Sequence, residues 1–364
     1  MQNYQLLGRS GLRVSPFALG AMTFGTEWGF GVERDVAQSL LDVYLDSGGN
    51  FIDTADMYTN GTSEQWLGQM IADAHVRDRV VLASKYSYNA EPGNPNAGGN
   101  HRKNLLRALE GSLKRLGTDY IDLYYLHTWD RLTPVDEVMR AMDDAVRAGK
   151  IRYVGLSDTP AWYAARAQTL AQWRGFEPVA AMQLEYSLIE RNAEHEFADL
   201  AVELGMGLVP WSPLASGLLS GKYKPSSSGQ FGAGRLQDMA ANPAPGFDKL
   251  TPRNFAIVAE LENVAQQLGQ PMAQVALNWL SHRKGVSSVI VGATKPEQLR
   301  QTLQSNQFEI PPELVARLDV ASAPATAFPY YMFADNHQHR IHGNVPVHSQ
   351  PAGYAPATKI VTAP

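Results

Sequence analysis

The sequence contains no cysteine, which excludes disulfides, zinc-thiolate centres and thiol nucleophiles and leaves the redox compartment open. It has no basic tract. Lys and Arg number 31 against 36 Asp and Glu, a net charge of −5, so nothing points to nucleic acid or an anionic membrane as partner. No apolar run approaches the roughly 18 residues of a membrane-spanning helix. The start, Met1-Gln2-Asn3-Tyr4, has no basic stretch leading into an apolar one, so no secretory signal is expected and a cytoplasmic soluble protein is. One further absence matters for the fold. The first apolar strand runs into Gly20-Ala21-Met22-Thr23-Phe24-Gly25, which is not the G-x-G-x-x-G of a doubly wound dinucleotide-binding sheet.

What is present is a repeat of short apolar strand and amphipathic helix. With 364 residues and 44% hydrophobic composition the chain can bury a large core in one α/β barrel carrying extensions. Residues 4–15, with Gly8-Arg9-Ser10-Gly11 between apolar segments, read as a β-hairpin capping something larger. Strands are expected at Phe17–Ala21, Asn50–Asp53, Val80–Ser84, Ile121–Leu126, Tyr153–Ser157, Ala181–Gln183, Gly207–Pro210 and Ser288–Val291. Between them, Leu105, Leu109, Leu113 and Leu116, or Val135, Val138, Met139, Met142 and Val146, recur at helical spacing. Gly48, Gly117, Gly149 and Gly205 stand where helices should end in left-handed caps. Eight such repeats predict a closed (β/α)8 barrel, with an open doubly wound sheet as the alternative. We expect the barrel over residues 1–325 and a partly irregular, Pro- and His-rich extension over 326–364, ending near Ser349-Gln350-Pro351-Ala352-Gly353. The Ser-, Gly- and Pro-rich segment Pro213–Thr251 reads as a lid or binding loop.

The catalytic rim of such a barrel is the C-terminal end of its strands. There the expected strands stop at Gly20, Asp53, Lys85, His127, Ser157-Asp158, Gln183, Trp211-Ser212 and Gly292. Each has an ordinary structural explanation when taken alone: Asp53 as a turn cap, Tyr58 as core, Lys85 as the first solvated residue past its strand, His127 as a satisfied interior histidine. Together, carboxylate, phenol, amine and imidazole form a proton-transfer set suited to carbonyl reduction. A hydride delivered to a carbonyl carbon needs a proton at the oxygen. Tyr58 would supply it, Lys85 would lower the phenol's pKa, Asp53 would keep Lys85 charged, and His127 would orient the carbonyl oxygen. A rival reading makes Lys85 a Schiff-base nucleophile.

The stretches FIDTADMY (51–58), SLKRLGTDYIDLYYLHTWD (112–130), GKIRYVGLSD (149–158), VPWSPLASGLLSGKY (209–223) and VGATKPEQL (291–299), with the strands bearing Lys85 and Gln183, resemble the aldo-keto reductase superfamily. The likeness covers about residues 5–320 and is to the longer-chain branch that includes potassium-channel β subunits. The resemblance implies a (β/α)8 barrel binding NADPH, with NADH as the alternative, and a tetrad of Asp53, Tyr58, Lys85 and His127. It further implies cofactor contacts from Gly20, Met22, Thr23 and Asp53, with Ser157, Asp158 and Gln183 on the carboxamide and Trp211 on the ring. Ser212, Leu214, Ser216, Gly217 and Lys222 would take the pyrophosphate, and Gly292, Thr294 and Gln298 the adenosine end. The chain departs from the pattern at Asp158, usually Asn, and at Gln301-Thr302, usually Glu-Asn. It has no arginine at the expected 2′-phosphate position, for which Lys295 and Arg235 are the candidates.

Trp28, Phe30, Tyr58, Tyr86, Tyr88, His127 and Trp129 are expected to wall a substrate pocket. The tail Asn336-His337-Gln338-His339-Arg340-Ile341-His342 is not read as a metal site, and no metal is expected. The expected partner is therefore a small-molecule carbonyl or alcohol, bulky or aromatic, with a sugar or natural-product carbonyl as an alternative; nucleic acid and membrane are not expected, and a homo-oligomer is left open. An NADPH-binding regulatory subunit with little turnover is a third reading.

Overall fold

The structure, a computed structural model, describes residues 1, 3–224, 236, 248–325, 327–343 and 345. Arg235, most of the Pro213–Thr251 segment and the Ser349–Gly353 end of the tail lie outside them. The chain divides into two compact units. One comprises Met1–Leu184, Leu204–Trp211 and Ser287–Leu303, the other Glu185–Glu203, Ser212–Val286 and Gln304–Pro364.

In the first unit the chain opens with the hairpin, β1 (Gln5–Leu6) paired antiparallel to β2 (Arg13–Val14). Its turn needs a glycine. Gly8 has φ +58°, and a Cβ there would lie 2.5 Å from the carbonyl oxygen of Gly205. Eight parallel strands follow: β3 (Phe17–Gly20), β4 (Phe51–Asp53), β5 (Val81–Tyr86), β6 (Ile121–Leu126), β7 (Ile151–Ser157), β8 (Val179–Glu185), β9 (Gly207–Trp211) and β10 (Val289–Val291). Their spatial order, β10-β3-β4-β5-β6-β7-β8-β9, is the chain order rolled up, and β9 meets β10 at the seam. This is the (β/α)8 barrel. The open-sheet alternative is excluded.

Helices α1 (Arg34–Asp46), α2 (Thr62–Asp73), α3 (Arg102–Leu116), α4 (Val135–Arg147) and α5 (Ala161–Arg174) alternate with the strands. The expected stripe of α3, Leu105, Leu109, Leu113 and Leu116, is buried, each leucine stabilising the fold by roughly 2 kcal/mol over exposure. The four helix-ending glycines all adopt positive φ. Inside the barrel, Phe51, Val81, Ala83, Leu123, Tyr125, Ala181 and Val209 form one core, joined from the hairpin by Leu7 and Val14. The hairpin therefore floors the cylinder at the end where the strands begin, leaving the other end for chemistry.

The strands differ from expectation in one respect that concerns the site. The strand expected to stop at Ser84 continues to Tyr86, and Lys85 pairs in register with Tyr125. Lys85 is thus within the sheet rather than past its end. A buried strand tolerates the ammonium because a carboxylate stands on the neighbouring strand.

The second unit carries helices Pro252–Leu268, Met272–Ser281 and Pro312–Ala321. Within it Arg191 and Arg283 pair with Glu194 and Asp319, and the Trp279 indole N–H donates to Asp319. The described part of the tail includes a short helix, Asp335–His342. Among the described residues no helix is long and apolar enough to cross a membrane.

Candidate active site

Lys85 is fully buried and Asp53 is 2% exposed, so neither charge survives without the other. Lys85 Nζ donates to Asp53 Oδ1 at 2.5 Å, to the Thr54 carbonyl at 2.8 Å and to the Tyr58 hydroxyl at 3.1 Å. An ammonium has three protons, and each has an acceptor. The other oxygen of Asp53, Oδ2, accepts from Gln183 Nε2 at 2.8 Å. Lys85 Nζ also lies 4.6 Å from the centroid of the Tyr58 ring. His127 completes the group, its ring edge-on to Tyr58 with centroids 5.7 Å apart. The structure thus brings together Asp53, Tyr58, Lys85 and His127 from β4, the turn after it, β5 and the end of β6.

Burial opposes the charge on Lys85, but Asp53 and Tyr58 outweigh it and hold the ammonium above its usual range. Tyr58 goes against expectation. Burial raises the phenol more than Lys85 lowers it, and the charges of Asp53 and Asp158 add to the rise. In the free protein the phenol therefore keeps its proton. Burial, and secondarily the Lys85 charge, push His127 well below its ordinary value, so it is a neutral imidazole near pH 7. Its Nδ1 is buried without a partner among the described residues.

The turn that carries Tyr58 is held by contacts the sequence does not advertise. Thr59 and Asn60 both have positive φ, 46° and 56°, unusual for a β-branched residue. Thr59 is held there because its hydroxyl donates to the Phe24 carbonyl at 2.6 Å and accepts from Ser63 N–H at 3.2 Å. On the helix side of the same turn stands Asp56, whose N–H donates to the Lys85 carbonyl. Its Oδ1 is buried with no hydrogen-bond partner among the described residues. Glu64 nearby is engaged by Ser84 and by Arg115, the latter at 2.7 Å. Burial first, then repulsion from Glu64, lifts Asp56 to about 7. None of Asp56, Glu64 and Arg115 was singled out from the sequence, and the one available signal was Glu64, a charge on the inward face of α2.

Asp56 sets a pH dependence. Its folded pKa is raised above the unfolded value of about 3.9, so folding takes up a proton and stability falls as pH climbs from about 4 to about 7. Asp56→Asn should therefore be more stable than the parent by about 4 kcal/mol at pH 8 and indistinguishable from it near pH 4. Urea denaturation at the two pH values measures this; an equal effect at both would remove Asp56 as the cause.

Of the expected pocket residues, Trp28 packs edge-on to Tyr58 at 6.2 Å and against Phe30 at 5.8 Å, while Tyr88 meets His127 at 5.0 Å. Trp129 instead packs on Trp162 and Tyr163, Trp162 being an exposed aromatic the sequence reading passed over. Tyr86 does not wall the pocket. It is fully buried, stacks on Tyr124 at 5.5 Å and donates its hydroxyl to the Asn100 carbonyl. Successive strand residues face opposite sides, so with Lys85 turned into the barrel Tyr86 must turn toward the helices.

Among the expected cofactor residues of the first unit, Ser157 Oγ and Thr23 Oγ1 are buried without hydrogen-bond partners among the described residues. Asp158 is exposed, with φ +44°, and its Oδ1 accepts from the Trp211 indole N–H at 3.1 Å. Gly20 ends β3, where a Cβ would approach Ile290 to 2.7 Å, and Met22 follows it, half-buried. Gly292, Thr294, Lys295 and Gln298 are exposed beyond β10. Ser212, Leu214, Ser216, Gly217 and Lys222 belong to the second unit, where Ser212, Ser216 and Gly217 all have positive φ.

The sequence was compared with known proteins. Residues 16–323 match the model of the Aldo/keto reductase family. An uncharacterized oxidoreductase of Bacillus subtilis is 37% identical, covering 90% of this chain and 98% of its own length. A norsolorinic acid reductase of Aspergillus flavus is 33% identical over 89% of this chain and 82% of its own. An aryl-alcohol dehydrogenase [NADP(+)] of Phanerodontia chrysosporium is 32% identical over 93% and 90%.

Proposed function

Because the chain belongs to the aldo/keto reductase family, and is an oxidoreductase of carbonyls and alcohols on that ground, we propose that it is NADP(H)-dependent and that Tyr58 is its general acid and base. The observation that carries this reading is the Lys85 ammonium set between Asp53 and the Tyr58 hydroxyl, 3.1 Å from the latter. A charge there stabilises a phenolate, so the proton can leave Tyr58 once a carbonyl oxygen replaces water beside it. Neutral His127 offers an N–H to the same oxygen and supports the negative charge that develops on it. Trp28, Phe30 and Tyr88 give the substrate an aromatic wall, which favours an aryl aldehyde or ketone, in keeping with the aryl-alcohol dehydrogenase relative.

The residues present fit a nicotinamide. Two buried hydroxyls, Ser157 and Thr23, have no hydrogen-bond partner among the described residues and can serve a bound polar ligand. In this reading Gly20, Met22, Thr23, Ser157, Asp158, Gln183 and Trp211 hold the nicotinamide end, and Gly292, Thr294, Lys295 and Gln298 the adenosine end. The bound cofactor supplies or receives the hydride. The Schiff-base reading gains no support, because it needs a neutral amine and the Lys85 ammonium is held charged with all its protons engaged.

Titrating the purified protein with NADPH and NADH by tryptophan quenching should show saturation, tighter for NADPH. A carbonyl panel followed at the cofactor absorbance should then show turnover of aryl aldehydes. Tight cofactor retention with no turnover across the panel would instead favour a regulatory subunit.

A further inference from the structure

Asp158 brings a negative charge to the rim and is held there from three sides. Its backbone N–H donates to the Gln183 carbonyl at 3.2 Å, and its own carbonyl accepts from Trp129 N–H at 3.4 Å. Its Oδ1 accepts from the Trp211 indole at 3.1 Å. The left-handed φ of +44° is a conformation that aspartate tolerates better than most residues, and it aims the side chain at Trp211. The charge is felt at the centre of the site, since it raises the phenols of both Tyr58 and Tyr88. The hydroxyl of the preceding residue, Ser157, is buried without a hydrogen-bond partner among the described residues. A carboxylate, a pinned indole and an unused hydroxyl therefore stand together at the ends of β7 and β9.

A ring that exchanges hydride with a carbon whose oxygen touches Tyr58 must lie within a few ångströms of Tyr58, in the region this carboxylate acts upon. The two redox states of a nicotinamide differ there by one unit of charge: the oxidised ring is a cation, the reduced ring neutral. A fixed carboxylate attracts the first and is nearly indifferent to the second, and the attraction strengthens as the ring displaces water around it. We propose that Asp158 is a specificity-determining residue for the redox state of the cofactor, holding the oxidised nicotinamide more tightly than the reduced one. The inference rests on the nicotinamide-dependent reading above. Its consequence is that the equilibrium on the protein leans toward bound NADP+ and alcohol, that is toward carbonyl reduction, while the equilibrium in solution is unchanged.

Asp158→Asn tests it. The amide keeps the shape and can still accept from the Trp211 indole through its carbonyl oxygen, but carries no charge. Dissociation constants for NADP+ and NADPH are measured separately by tryptophan quenching on the parent, Asp158→Asn and Asp158→Glu, with no turnover involved. The expected result is a loss of preference for NADP+ on the order of ten-fold in the Asn variant, arising mostly from weaker NADP+ binding, with the preference retained in the Glu variant. Thermal denaturation confirms that each variant is folded. A ratio of the two constants that is the same in the Asn variant and the parent overturns this inference and leaves the reductase reading standing; so does a ratio lost equally in the Asn and Glu variants. Failure of the parent to bind either form overturns both.

Discussion

Tyr58→Phe is expected to lose roughly a hundred- to ten-thousand-fold in turnover while its affinity for NADPH stays within about two-fold of the parent's, a change of under about 0.5 kcal/mol. The substitution removes one oxygen. The ring keeps its edge-on contacts with His127 and Trp28, and Lys85 keeps its stronger partners, Asp53 and the Thr54 carbonyl. What disappears is the proton. Because burial holds the phenol up in the free protein, Tyr58 arrives at the reaction protonated, and among the described residues no other hydroxyl is bonded to Lys85 to replace it. Stopped-flow turnover beside an equilibrium titration separates the two quantities, and retention of full turnover would remove Tyr58 from its role.

Lys85→Met should cost both activity and fold. Asp53 would be left buried with only Gln183 as partner, and breaking a buried pair from one side destabilises by about 3 to 5 kcal/mol. The sign with pH follows from the pair. In the parent, the raised folded value of Lys85 means that its contribution is complete below about pH 10 and fades as pH climbs through that value. The double variant Asp53→Asn, Lys85→Met should recover most of the lost stability and none of the activity. Chemical denaturation of all four proteins closes the cycle; a double variant no more stable than Lys85→Met would mean that the deficit is not an unpaired carboxylate.

The strands were legible because each is a short apolar run broken by a polar residue, and parallel strands covered on both faces read that way. Asp53, Lys85 and His127 were legible for the same reason, being polar where burial forbids it. Tyr86 was misplaced because the strand was ended two residues too soon. Once it runs through Lys85, the alternation that turns Lys85 inward turns Tyr86 away. The direction of the Tyr58 shift could not be read at all, since a neighbouring ammonium is visible in a motif but the depth of burial around a phenol is not. Asp56 shows the same limit. It stands inside FIDTADMY, yet its unusual proton affinity comes first from burial and then from Glu64 on a helix, neither of which leaves a mark on the octapeptide.

The floor made by Leu7 and Val14 beneath Phe51 and Val81 bears on how variants of this protein are interpreted. The Asp53–Lys85 pair stands in the same barrel above that floor, whose Leu7 and Val14 come from the hairpin at the amino end. Trimming or crowding them, as a purification tag can, would wet the ion pair from underneath and slow the chemistry with every rim residue still in place, so a damaged leader would pass for a damaged catalyst.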